Sequence, residues 1–291
     1  MPRLVGRNGG FPRRMVRPGY IAAATAIVMA AVWFYTPIPT TAARYAWERF
    51  HSPALALALN RTDADLAFSL GAYYFGNQSM IGAAGARPYE LGKAEYAFKK
   101  ALALAPTMPL AHYMLARIEF VHSNFTAALA ELNEELSVNP AYTRALYMRA
   151  LTYAYRGRPG DLSLAEADFR SFIAWAPGEW AGYNDLAYVL AKEKKYEEAA
   201  TVLADGIAHA DGGGTNPWLW NSLGVMELDL GKFSGAVSAF LKAQTLAASL
   251  TETDWQRAYP GNDPKLAAGG LEAMRSGIEK NLATARAALG K

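Results

Sequence analysis

The chain contains no cysteine among its 291 residues. Disulfides, thiolate metal sites and a cysteine nucleophile are excluded together, while the redox compartment stays open. Histidine is scarce too: His51, His112, His122 and His209 have no i,i+4 partner and no carboxylates at ligand spacing, so no metal is expected. A phosphate loop is missing, because Arg87 stands where its leading glycine belongs and Ala94 follows Gly92-Lys93 where Ser or Thr is required. There is no basic face. Of the 29 Lys and Arg behind the formal charge of +3, Arg3, Arg7, Arg13, Arg14 and Arg17 sit in an acid-free leader, leaving 24 against 26 acids. Phosphate binding needs basic residues clustered on one folded face, so no nucleic-acid partner is expected. Runs of acids such as Glu131, Glu134 and Glu135 read as a solvated helix face rather than a catalytic constellation. The chain is expected not to be an enzyme and to carry no cofactor.

What the sequence does have begins with GYIAAATAIVMAAVWFYTPIP, in which residues 20–35 are uncharged and end in Trp33, Phe34 and Tyr35. The 18 residues of 19–36 span about 27 Å as a helix, close to the thickness of a hydrocarbon core. A retained anchor competes here with a cleaved signal peptide, which the small residues Thr40 to Ala43 favour, and with a buried core helix. The length of the run and its aromatic belt point to the anchor. Five arginines before the span against Arg44 and Arg49 just after it place the N-terminus in the cytoplasm and the remainder on the exoplasmic or periplasmic side of a cytoplasmic membrane.

Beyond residue 63 a repeat emerges. In WLWNSLGVMELDLGKFSGAVSAFLKA, Trp220, Leu223 and Gly224 are followed by Ala236, Phe240 and Ala243, and Pro106 and Pro140 stand 34 residues apart. With Pro217 as position 1, small residues at 8 and 20 and large ones at 4, 7 and 24 recur upstream: Leu115, Ala116, Ala128 and Leu132, then Ala150, Ala165 and Phe169, then Leu186, Ala187, Ala199 and Leu203. The first unit has Leu70, Gly71, Tyr74, Ala94 and Phe98, with eleven extra residues between its helices. Another three are inserted at Arg158-Pro159-Gly160, and Asp211-Gly-Gly-Gly reads as slack between units. The spacing predicts five helix-turn-helix units over 64–248, where small residues let paired helices approach and large ones fill the flanks.

This pattern resembles the tetratricopeptide repeat (TPR), in a membrane-anchored bacterial-type arrangement. The expected fold is all-α: a leader at 1–18, an N-terminal transmembrane helix at 19–36, a helical juxtamembrane linker at 37–63, a TPR solenoid at 64–248, and a C-terminal loop and capping helix at 249–291. In that helix Asp263 and Pro264 would be N-cap and first position.

Positions 2, 5, 9 and 12 lie half a turn from the buried stripe and would face the concave side of a superhelix. They supply the candidate partner-binding groove: Tyr113, Arg117, Phe120, Arg144, Tyr147, Asn184, Tyr188, Trp218 and Asn221. Aromatic area and amides suit a protein or peptide ligand, although the same aromatics could instead pack on neighbouring repeats or on the C-terminal helix. No lysine stands at positions 2, 5 or 9, so the capture of a terminal carboxylate known in some relatives is not expected. The resemblance implies a scaffold that docks or assembles components of a cell-envelope complex. The alternative is an accessory subunit that presents a peptide to an envelope enzyme, as in cytochrome c maturation.

Overall fold

A computed structural model describes residues 26–29, 38–76, 89–258 and 263–290, which form helices and turns. The leader, most of the expected span at 19–36 and residues 77–88 of the insert lie outside the described residues; 26–29 are helical and exposed. Among the described residues no helix is long and apolar enough to cross a membrane.

Two compact units divide at Leu66. In the first, α1 (Ile38–Glu48) packs against α2 (Pro53–Leu59) through the buried Ala43, Ala46, Ala56 and Leu57, and the three alanines permit the close crossing. Asn60 then closes a turn, donating to the Asp63 carbonyl at 2.7 Å and accepting from Asp63 N–H at 3.0 Å. One Asp63 oxygen caps the next helix at Leu66 N–H, 2.9 Å away, and the other pairs with Arg44.

That next helix, α3 (Ala64–Tyr74), leads into the second unit. It is followed by α4 (Leu91–Leu104), α5 (Ala111–Val121), α6 (Phe125–Val138), α7 (Thr143–Arg156), α8 (Asp161–Trp175), α9 (Trp180–Lys192), α10 (Tyr196–His209), α11 (Pro217–Asp229) and α12 (Phe233–Ala248). The pairs α5–α6, α7–α8, α9–α10 and α11–α12 pack together, and each also packs on the next. The crossing within a pair is set by positions 8 and 24, and in four of the five repeats a larger residue at one goes with a smaller one at the other. In the first repeat a Cβ on Gly71 would meet the Phe98 ring at 2.7 Å, and in the fifth a Cβ on Gly224 would meet Phe240 at 2.6 Å. Where position 8 is alanine, as at Ala116 and Ala187, position 24 is Leu132 and Leu203, while Ala150 and Phe169 share the third core. All five position-24 side chains are fully buried.

The turn inside each repeat is equally regular. Ser123, Gly157, Lys194 and Gly231, all at position 15, have φ between 61° and 72°. After three of them the next N–H reaches back five residues, from Asn124 to Glu119, Lys195 to Leu190 and Lys232 to Glu227, the bond of a Schellman cap. Glycine takes this left-handed backbone freely, whereas Ser123 and Lys194 adopt it at a cost of about 1 kcal/mol each, so the repeat geometry overrides local preference there.

Three segments depart from the sequence expectation. Glu135, read as part of a solvated acidic face, is only 1% exposed: its carboxylate accepts from Leu110 N–H at 3.0 Å and Tyr113 N–H at 3.2 Å, capping α5 from α6. The helix end needs an acceptor, and a carboxylate from the paired helix provides it. The glycine run is not slack either. Gly213 is buried in a 3₁₀ turn (Gly213–Thr215), where a Cβ would fall 2.1 Å from the Gly206 carbonyl oxygen, and Asp211 N–H bonds Gly178 O at 2.9 Å. Beyond α12, the expected loop contains α13 (Glu252–Ala258), whose buried Trp255 packs with Ala267 and Leu271. Asp263 caps a 3₁₀ turn (Pro264–Leu266) by accepting from Lys265 N–H at 2.9 Å. The long helix α14 (Ala267–Leu289) starts only after it and covers α12 with Ile278, Leu282 and Ala285.

Candidate protein-binding face

Successive first helices touch one another, α5 on α7, α7 on α9 and α9 on α11, a closeness the second helices do not match. Pairs stacked more tightly on one side bend toward it, so α5, α7, α9 and α11 form the inner face of this unit.

At its N-terminal end, Arg117 places its guanidinium 4.5 Å above the Phe75 ring and 5.7 Å from Tyr113. Tyr113 meets Tyr142 edge-on at 5.1 Å, and burial first, then neighbouring Tyr113, pushes the Tyr142 phenol up to about 12. Phe120 stands edge-on to both Phe125 and Tyr155 at 5.5 Å, and Tyr155 stacks on Tyr188 at 6.4 Å with the rings 29° apart. Arg144 is exposed at the start of α7. An aromatic row thus runs across α5, α7 and α9, with Tyr155 54% and Tyr188 41% exposed.

A polar ladder binds α7, α9 and α11. The Tyr147 hydroxyl donates to Asp185 Oδ2, Asn184 Nδ2 donates to Asp185 Oδ1 at 3.0 Å, and Ser222 Oγ donates to Asn184 Oδ1 at 2.7 Å. Further along, Asn281 of α14 donates to Asn221 Oδ1 at 3.2 Å. Both ends of the Asn184 amide and the Asn221 carbonyl are therefore engaged by the chain itself, so their capacity for a peptide backbone is smaller than the sequence suggested. Tyr147 is as much core as surface, its ring 5.6 Å from Phe169 and 5.1 Å from Phe172. Trp218 stacks on Trp180 at 5.2 Å and packs against the Trp255 cluster of the C-terminal segment.

The structure thus brings Tyr113, Arg117, Phe120 and Tyr188 onto one accessible row, with Arg144 exposed at the near end of α7. It turns Tyr147 and Asn184 into the ladder, and it places Trp218 and Asn221 against the chain's own C-terminal segment. Sequence reasoning missed Tyr155 at position 13 and Asp185 at position 6. The second had a visible signal, a single acid in the otherwise apolar and amide helix WAGYNDLAYVLA. Among the described residues no group of three or more His, Asp or Glu gathers to hold a metal ion.

No family model matches the sequence. Solved structures do. PilW, described as a widely conserved type IV pilus biogenesis factor, aligns over 77% of this chain and 93% of its own with a TM-score of 0.53 at 17% identity. YrrB, described as a TPR protein with an unusual peptide-binding site, covers 68% of this chain and 93% of its own at TM-score 0.50 and 16% identity. MamA covers 64% and 97% at TM-score 0.50 and 15% identity. The chain has the tetratricopeptide-repeat fold, a helical solenoid of five repeats with a C-terminal helical cap.

Proposed function

We propose that this chain is a membrane-anchored interaction scaffold that holds a protein or peptide on its inner face and docks or assembles components of a cell-envelope complex. The observation that carries the reading is the row of half-buried and exposed aromatics with Arg117 on α5, α7 and α9, since rigid aromatic area beside arginine is the composition of binding hot spots. YrrB, with its peptide-binding site, and PilW, as a pilus biogenesis factor, lend support by having the same fold. The uncharged run at 20–35 and the arginine-rich leader support an anchor with the N-terminus in the cytoplasm and the array exoplasmic or periplasmic.

Two measurements check these parts separately. For the face, a partner co-purified in mild detergent is measured against Arg117→Ala, Tyr155→Ala and Tyr188→Ala, each first required to melt like the parent. Loss of a hot-spot anchor is expected to cost more than about 2 kcal/mol, roughly thirtyfold in affinity. Unchanged affinity in all three moves the interaction elsewhere. For the anchor, the intact chain is expected to stay with membranes through a carbonate wash while residues 40–291 are cut by external protease. A soluble chain beginning near Ala43 would count against it.

A further inference from the structure

Asp185 has no role in holding the repeat fold that requires its charge. It lies on α9 in the centre of the inner face, and its carboxylate receives hydrogen bonds from the Tyr147 hydroxyl and the Asn184 amide. Both donors are neutral, and neither needs a charged acceptor. Burial raises its pKa, and the two hydrogen bonds only partly offset this; no lysine, arginine or histidine contributes. An acid in that condition opposes folding at neutral pH. Its raised folded value means that stability is greatest below the ordinary carboxylate value and falls as the pH rises through the folded one.

The neighbours explain what such an acid could serve. Tyr188 is one helical turn further along α9, about 4.5 Å of rise, and Tyr155 stacks upon it from α7. Both rings are substantially exposed. The Tyr155 phenol is raised by burial first, then by Tyr188 and by the Asp185 charge, so the carboxylate and this ring share one electrostatic neighbourhood. One of these rings already takes a cation from the chain itself: the Lys192 ammonium rests 4.8 Å from the Tyr188 centroid. A carboxylate beside aromatic faces is the chemistry that receives a cation, by charge from the acid and by the ring quadrupole.

We infer that Asp185, Tyr155 and Tyr188 form a subsite for a lysine or arginine side chain of the bound peptide, with the aliphatic stem along the tyrosines and the cationic head at the carboxylate. The inference rests on the inner face being a peptide-binding face and adds the residue class that it selects. Each Asp185 oxygen retains acceptor capacity after its one internal hydrogen bond, so binding requires no rupture of the ladder.

The test uses the immobilised full chain and a phage-displayed random peptide library. Selected sequences are resynthesised in pairs that differ by acetylation of one lysine, which removes the charge and keeps the stem. Acetylation is expected to weaken binding to the parent by about tenfold or more, and to change little on Asp185→Asn, a near-isosteric variant expected to melt at or above the parent. Binders without a cationic residue, or an acetylation penalty equal in both proteins, overturn the subsite and leave the binding face standing. Acetylation without cost on the parent overturns it whether or not the variant folds. A library that yields no binder overturns the subsite and the peptide-binding reading together.

Discussion

Gly224→Leu is expected to unfold the fifth repeat at temperatures where the parent stays folded. A bare Cβ at this position would already stand 2.6 Å from the Phe240 ring, which is completely buried and has no free side to turn toward. Overpacking of a filled core costs about 1–3 kcal/mol and more when the neighbour cannot move. Leucine adds three further carbons to that first clash, so the upper end and beyond is expected. The sequence offers its own compensation. Of the three repeats with alanine at position 8, those of Ala116 and Ala187 carry Leu132 and Leu203 at position 24 and only that of Ala150 keeps a phenylalanine, Phe169, so Gly224→Ala combined with Phe240→Leu should recover most of what Gly224→Ala alone loses. Urea melts of the two single variants and the double variant measure the coupling directly. Additive losses would mean that the two positions do not share a crossing.

The second large effect is expected at Asp161, the first residue of α8. It is 2% exposed, accepts from Arg156 Nε at 2.9 Å and Nη2 at 2.7 Å, and accepts from Arg158 N–H at 2.8 Å. These bonds replace what a regular turn would have supplied, because three extra residues separate α7 from α8 and both Gly157 and Gly160 take positive φ. Asp161→Ala leaves the Arg156 charge without its partner, and removal of one member of a buried pair costs about 3–5 kcal/mol. Arg156 retains 19% side-chain exposure, which places the expected loss near 3 kcal/mol, the lower end of that range. The pH dependence follows from the sign of the shift. The Arg156 guanidinium, with the Arg158 backbone, holds the Asp161 carboxyl below its ordinary value of 3.8. Its stabilising contribution is therefore complete above that value and disappears as the pH falls through the lowered one. Asp161→Asn should flatten this part of the acid-unfolding curve, and an unaltered acid limb would show that the pair contributes little.

Why the repeat frame was readable and the ladder was not has a physical basis. Small residues at 8 and 20 and large ones at 7 and 24 are dictated by the crossing of two consecutive helices, so the constraint repeats within each 34 residues and leaves a period. Tyr147 and Asn184 both stand at position 5, and their partners Asp185 and Ser222 at position 6 of the following unit, 38 residues on; the residue types differ between the two rungs, a phenol on a carboxylate and then a hydroxyl on an amide, so no recurring residue type marks the ladder in the sequence. Glu135 was hidden for a related reason. Its neighbours Glu134 and Asn133 are exposed, so the local composition is that of a solvated face, and only the position of the α5 N-terminus makes one member of the run a buried cap. The C-terminal segment contacts Trp218 and Asn221 over sequence separations that no local pattern encodes, which is why the row of candidate positions continued into a repeat where those two residues meet α14 and the Trp255 cluster.

The inner-face claim has one especially direct measurement. A photo-crosslinking amino acid is placed in vivo at Tyr188, 41% exposed on the inner helix α9, or at Trp175, 70% exposed at the end of the outer helix α8. Both variants are required to melt like the parent. The account predicts a discrete crosslinked partner from position 188 and none from the more exposed position 175. Equal capture from both, or capture from position 175 alone, would contradict it.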